Sequence, residues 1–151
     1  MAHVKVVLDA SAVIGWLTAE PAAVEVERLI AAGGACCSSL NLGEVVDHLV
    51  RIRGVAAPDV AAALGLAVQG GLTIVSVDRT LGARAGVLRA THYSRSTQPV
   101  SLADCIALAT AENLGATLVT GDAGLVAMAV SAGVDVHPIP SSSGLRPALS
   151  P

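Results

Sequence analysis

Residues 4–13, VKVVLDASAV, carry a Val-rich apolar run straight into a carboxylate, Asp9. The pattern returns at residues 116–125, ATLVTGDAGL, where a second apolar run ends two residues before Asp122. Between these points short apolar runs alternate with longer segments of helical spacing, divided by Gly or Pro. Few folds accept that alternation. Strands joined through helices imply crossover connections, and hence an α/β domain with a mostly parallel sheet. Nearly continuous apolar strands require helices on both faces of that sheet, a three-layer sandwich.

The first strand is expected at 4–8. Helices follow at about 11–18 and 21–32, the second with Pro21 in its first turn, and Gly33 and Gly34 end it. ACCSS reads as a second strand. SLNLGEVVDHLVRIRG reads as a helix, with Leu42, Val45, Val46 and Leu49 at helical spacing and Gly54 as the stop. APDVAAALGLAVQGG is a further helix and LTIVSV a strand. Residues 79–91 are an Arg-bearing helix and HYSRSTQPV a loop. SLADCIALATAENLG is a strong helix closed by Gly115. ATLVT is a strand, DAGLVAMAVSAG a helix and VDVHPI a last strand. Residues 1–140 thus form one domain of a size that supports a single core. Residues 141–151, in the Pro/Ser-rich PSSSGLRPALSP, read as a mobile tail.

With 53% hydrophobic and 14% charged residues, the chain is a compact globule rather than a disordered one. Its aromatic residues are Trp16 and Tyr93 alone, so the core is packed from Ala, Val, Leu and Ile. That scarcity argues against base-stacking platforms of the RNA-recognition or oligonucleotide-binding type. A net charge of −3 gives no global basic footprint, which leaves room only for a local Arg strip. Arg79, Arg84, Arg89 and Arg95 form one such group, and Arg51 and Arg53 another; a solvated helix face is the ordinary explanation. Cys36, Cys37 and Cys105 are odd in number and lack C-x-x-C spacing. They read as buried small hydrophobes in a reducing cytoplasm, not as a disulfide or zinc framework. No stretch reads as membrane-spanning or as a secretory signal, since Asp9 interrupts the first apolar run and residues 69–71 break the longest.

Among twelve acidic residues, Glu20, Glu25, Glu27, Asp59 and Glu112 fall on expected helix surfaces. Asp47 with Arg51 makes an ordinary i, i+4 surface pair. Four acids differ. Asp9 and Asp122 each follow a strand, where a helix N-cap is the ordinary alternative. Ser11 can cap the same helix or hold Asp9, and Thr120 shares the neighbourhood of Asp122. Glu44 lies near a helix start among apolar residues, with Asn41 the only residue spaced to cap with it. Asp104 completes the capping-box pattern SLAD, yet the helix behind it is apolar almost all round, so an acid at its mouth carries a desolvation cost.

Parallel strands place their C-terminal ends, and the helix starts that follow, along one edge. Asp9, Glu44, Asp104 and Asp122 can converge there. With Lys5 the only lysine, clustered carboxylates either take up protons or bind a cation. Oxygen ligands alone favour Mg²⁺ or Mn²⁺, which activate water and steady charge on phosphorus.

Those four pieces, VVLDASAVI, SSLNLGEVVDHL, SLADCIALATA and TLVTGDAGL, resemble in order and separation the PIN-domain family, and within it the VapC-type toxins of bacterial toxin–antitoxin pairs. The resemblance covers about residues 4–139 and has no departure at the four acids. It implies a Mg²⁺- or Mn²⁺-dependent endoribonuclease. Asp9, Glu44, Asp104 and Asp122 would carry the metal and the catalysis, with Ser11 and Thr120 in support. It also implies an RNA substrate, a cognate antitoxin protein as partner, and a homodimer. A non-toxin PIN-type ribonuclease and a binding module without catalysis are the alternatives. Receiver domains and haloacid-dehalogenase-like phosphatases share strand-end aspartates, but both use a late lysine that this chain lacks, and the phosphatases need an acid where Ser11 stands.

Overall fold

The computed structural model describes residues 3–149. Its elements are β1 (Val6–Leu8), α1 (Ala10–Leu17), α2 (Ala23–Ala31), β2 (Ala35–Ser38), α3 (Ser39–Asp47), α4 (Ala57–Gln69), β3 (Thr73–Val75), α5 (Arg79–His92), α6 (Leu102–Leu114), β4 (Thr117–Thr120), α7 (Ala123–Ala132) and β5 (Val136–Pro138). The five strands form one sheet in the order β3-β2-β1-β4-β5. Every pairing is parallel. The expected α/β three-layer sandwich is therefore present, and among these strands the sheet is parallel throughout.

Alternation along each strand divides the core in two. Val7, Cys36 and Leu118 point to one face, where α5, α6 and α7 pack through Leu81, Ala85, Leu88, Leu108, Leu125 and Met128. Leu8, Cys37 and Val119 point to the other, against Val13, Val26, Ile30, Val45 and Val60 of α1 to α4. This is the period-2 geometry of a strand buried on both sides. Helix α6 is buried from Cys105 to Ala111 without interruption. Its small side chains let it lie close on the sheet, so enlarging Ala107, which has no exposure, would overpack the layer. The three thiols are free and buried. Burial pushes Cys36, Cys37 and Cys105 up to about 11, 12 and 11, the acidity of inert core residues.

Polar side chains set the helix starts. Asp9, Ser38, Asp78, Ser101 and Asp122 cap α1, α3, α5, α6 and α7. Gly115 and Gly133 close α6 and α7 with φ of 58° and 71°, where a Cβ would be strained. Chain order explains where the ligand edge lies. β1, β2 and β3 step outward in one direction, and β4 and β5 in the other, so the topological switch falls between β1 and β4.

Three expectations change. The helix at 21–32 begins at Ala23, with Pro21 in the preceding turn. The helix expected to run on to Gly54 turns π-helical at His48–Ile52, where Arg53 N–H donates to His48 C=O at 3.1 Å. The segment expected as a mobile tail is tied down through residue 146. Ser141 N–H donates to Leu145 C=O at 2.8 Å, and the Arg146 guanidinium grips Glu25 at 2.8 and 3.0 Å. Residues 150 and 151 of that segment lie outside the described residues. No helix among the described residues is long and apolar enough to cross a membrane.

Candidate functional site

At the switch point the C-terminal edge opens into a cleft of about 440 Å³. Asp9, Ser11, Glu44, Asp104 and Asp122 all line it. The elements that deliver them are the β1–α1 junction, α3, the first turn of α6 and the β4–α7 junction.

Asp9 is 4% exposed. Its Oδ1 accepts from Ala12 N–H at 2.8 Å and from the Ser11 hydroxyl at 2.7 Å, and its Oδ2 accepts from the Thr120 hydroxyl. The expected helix cap is present, and the same carboxylate lines the cleft. Ser11 Oγ accepts in turn from Gly121 N–H at 3.1 Å, and Thr120 Oγ1 from Asp122 N–H at 3.0 Å. Ser11 and Thr120 thereby stitch the β1 and β4 ends together. Burial pushes the Asp9 carboxyl up to about 6, against the pull of these three donors, and the Asp104 charge adds to the rise.

Glu44 is held by Asn41, whose Nδ2 donates to Glu44 Oε2 at 2.9 Å and to Ala103 C=O at 3.1 Å. Asn41 is thus a buried brace between α3 and the start of α6, while Ser38 performs the capping. Asp104 forms the expected capping box, with Ser101 N–H donating to its Oδ2 at 2.7 Å. Asp122 Oδ1 accepts from Leu125 N–H at 2.8 Å. Burial, then the neighbouring acids, raises Glu44 and Asp104 as well. Asp104 is the hub of the group: its charge acts on Asp9 and on Glu44, and Asp122 acts on it.

Among the described residues no cation is ion-paired with any of the four acids. Among the described residues Arg53 is the one arginine lining the cleft, and it is engaged with Glu20 at 2.6 Å. Arg51 instead pairs outward with Asp47 at 2.7 Å, as expected. Arg84 is spent on Glu112 at 2.6 Å, and Arg89 lies 4.4 Å from the Tyr93 ring centroid.

The donor set fits a hard divalent cation in kind. Each of Glu44, Asp104 and Asp122 uses one carboxylate oxygen for an internal bond and keeps the other free of protein donors among the described residues. Asp9 spends three of its roughly four lone-pair positions and keeps one on Oδ2. Toward a cation such oxygens would act as monodentate ligands of the type that Mg²⁺ and Mn²⁺ take. Among the described residues no three His, Cys, Asp or Glu side chains stand close enough to form a finished metal-binding group. Closing the site around an ion would therefore require side-chain adjustment.

Several residues at or behind the cleft escape the sequence reading. Glu20 and Arg53 face each other across its rim beside His48. Asn41 is legible only as a possible cap. Pro140, Ser141 and Ser142 complete one wall, although their composition signals only a loop.

A family model for the PIN domain matches residues 6–130, and the chain belongs to that family. Among curated proteins no relative matches. Many solved structures share the fold, and three illustrate it. VapC20 of Mycobacterium tuberculosis, described as a sarcin–ricin-loop-cleaving toxin, has a TM-score of 0.66 at 19% identity, covering 95% of this chain and 100% of its own. DNA-bound VapBC from Salmonella typhimurium has a TM-score of 0.67 at 20% identity, covering 89% and 97%. VapBC2 from Rickettsia felis, bound to a fragment of promoter DNA, has a TM-score of 0.65 at 16% identity, covering 88% and 97%.

Proposed function

We propose that this PIN domain is a Mg²⁺- or Mn²⁺-dependent endoribonuclease and the toxin of a toxin–antitoxin pair, working in the cytoplasm. The observation that carries the reading is the cleft at the β1/β4 switch, where four carboxylates couple through Asp104 and none is paired with a cation among the described residues. Support for RNA and for an antitoxin partner comes from the similar folds, one described as a sarcin–ricin-loop-cleaving toxin and others as VapBC or toxin–antitoxin complexes. A homodimer is part of the same proposal.

Asp9, Glu44, Asp104 and Asp122 would hold the ion. When bound, it supplies water of lowered pKa and offsets the charge that builds on the phosphorus oxygens. The chain's own residues do the rest. Ser11, Ala12 and Thr120 fix the Asp9 carboxylate so that one lone pair is left toward the cleft. Asn41 sets the reach of Glu44. Arg53, held at the rim by Glu20, can exchange that carboxylate for a substrate phosphate, since both accept a guanidinium fork.

The test is to incubate purified protein, free of antitoxin, with total cellular RNA and Mn²⁺ or Mg²⁺, beside lanes with EDTA and with Asp9→Asn. Discrete cleavage that disappears in both controls is the expected result. Cleavage that persists in both would sink the site. Absence of cleavage, together with Mn²⁺-induced thermal stabilisation that Asp9→Asn removes, would favour a metal-holding binding module instead.

A further inference from the structure

The C-terminal segment is built into the cleft by contacts that span the whole chain. β5 runs parallel to β4 at the sheet edge, and Ile139 N–H continues the ladder to Thr120 C=O at 3.0 Å. Ile139 is buried, so the chain leaves the sheet beside the Asp122 junction. There it lies against Gly121: a Cβ at that position would stand 3.4 Å from both Pro140 O and Ser141 Cα. The chain then folds back, Gly144 N–H donating to Ser141 C=O at 2.9 Å and Ser141 N–H to Leu145 C=O at 2.8 Å.

Arg146 locks this turn. Its two Nη atoms take both oxygens of Glu25, 121 residues earlier on α2, and Nη1 also donates to Pro138 C=O. His137 Nε2 lies 2.6 Å from the same Glu25 carboxylate. The Arg146 guanidinium, with burial opposing and His137 assisting, holds Glu25 down near 2, so the pair stays ionised across any assay range. A half-exposed ion pair contributes little to stability. A bidentate one fixes geometry well. What it fixes here is the position of Pro140, Ser141 and Ser142 on the wall of the carboxylate cleft. The Ser142 hydroxyl has no protein partner among the described residues and is exposed beside the acids.

We infer that Arg146 is a positioning residue for the proposed ribonuclease: latched to Glu25, it holds residues 140–142 as a wall that seats the nucleotide beside the scissile bond and so restricts where RNA is cut. The inference rests on the ribonuclease reading.

Its test compares wild type, Arg146→Met, Arg146→Lys and Glu25→Gln on one single-stranded oligoribonucleotide with Mn²⁺. The measurements are KM, kcat, the map of cut positions, and hydrogen exchange at Ser141 and Gly144. Arg146→Met and Glu25→Gln should raise KM about tenfold with kcat nearly kept, and add new cut positions. Their amides at 141 and 144 should exchange faster, while the melting temperature barely moves. Arg146→Lys, which keeps charge but loses the fork, should fall between. Unchanged KM and cut positions in variants of an active wild type overturn the inference and leave the ribonuclease reading intact. Unchanged exchange overturns it without reference to RNA. A wild type inactive under all metal conditions removes the ribonuclease reading and this inference together.

Discussion

Two junctions of this chain look alike in sequence and behave differently in the fold. At β1–α1 an apolar strand runs into Asp9; at β3–α5 another, LTIVSV, runs into Asp78. Both aspartates have extended backbones, and both cap a helix, at 2.8 Å to Ala12 N–H and 2.9 Å to Leu81 N–H. Asp78 follows an edge strand and is exposed. Asp9 follows the central strand, where β4 lies alongside and brings Thr120 onto its second oxygen. Local capping chemistry is the same at each. The strand's place in the sheet decides which aspartate is desolvated, and so which one joins the cleft.

The largest way to separate the two junctions is Asn substitution at each, without divalent ions. The raised Asp9 pKa means that the native state binds more protons than the unfolded chain between 3.8 and about 6. Stability from this group is therefore fullest below about 4 and is lost as pH rises to about 6, a difference on the order of 3 kcal/mol. At pH 8, Asp9→Asn should gain most of that, roughly 6–10 °C in Tm, and should gain nothing at pH 3. Asp78→Asn should move Tm by no more than about 2 °C at pH 8, because Asn caps as well as Asp. Equal shifts at the two positions would erase the distinction.

Thr120→Val sharpens the same contrast. It removes a donor that lowers the Asp9 pKa, so the pH window of lost stability should move above 6, with a cost of about 1–3 kcal/mol from the unmade bond. A pH series of denaturant midpoints reads both effects. Smaller than that is Asp78→Ala, expected to cost about 1 kcal/mol as a lost cap and to leave RNA cleavage unchanged. A fall in cleavage with that variant would extend the site to the sheet edge.

The same contrast explains what the sequence could reveal. Asp9 and Asp122 are legible because strand ends of a parallel sheet share an edge, and Asp104 because a helix apolar on all sides must be buried. Asp78 carries the same local signature as Asp9, and only strand order separates them. Arg53 reaches Glu20 after a π-helical turn that interrupts the 3.6-residue period used to read helices. Ser141 and Ser142 read as part of a loose tail because that segment is anchored through Arg146 to Glu25, which lies on the second helix of the chain. Glu20 and Glu25 read as solvated helix charges for the same reason: their partners are distant in sequence, and no local pattern encodes them.

The strand order also sets a schedule for the cleft. On the ribosome, β1 is made first and β2 and β3 follow it, leaving the far edge of β1 without a neighbour. The partner that fills that edge, β4, arrives with Thr120, 111 residues after Asp9. Until then Asp9, Glu44 and Asp104 exist as residues but share no cleft, and the bare edge of β1 is the nascent chain's point of exposure to aggregation. Arg146 emerges later still. Whatever chemistry the cleft performs, a nascent chain that stops short of β4 cannot perform it, because Thr120 and Asp122 reach the cleft only with that strand.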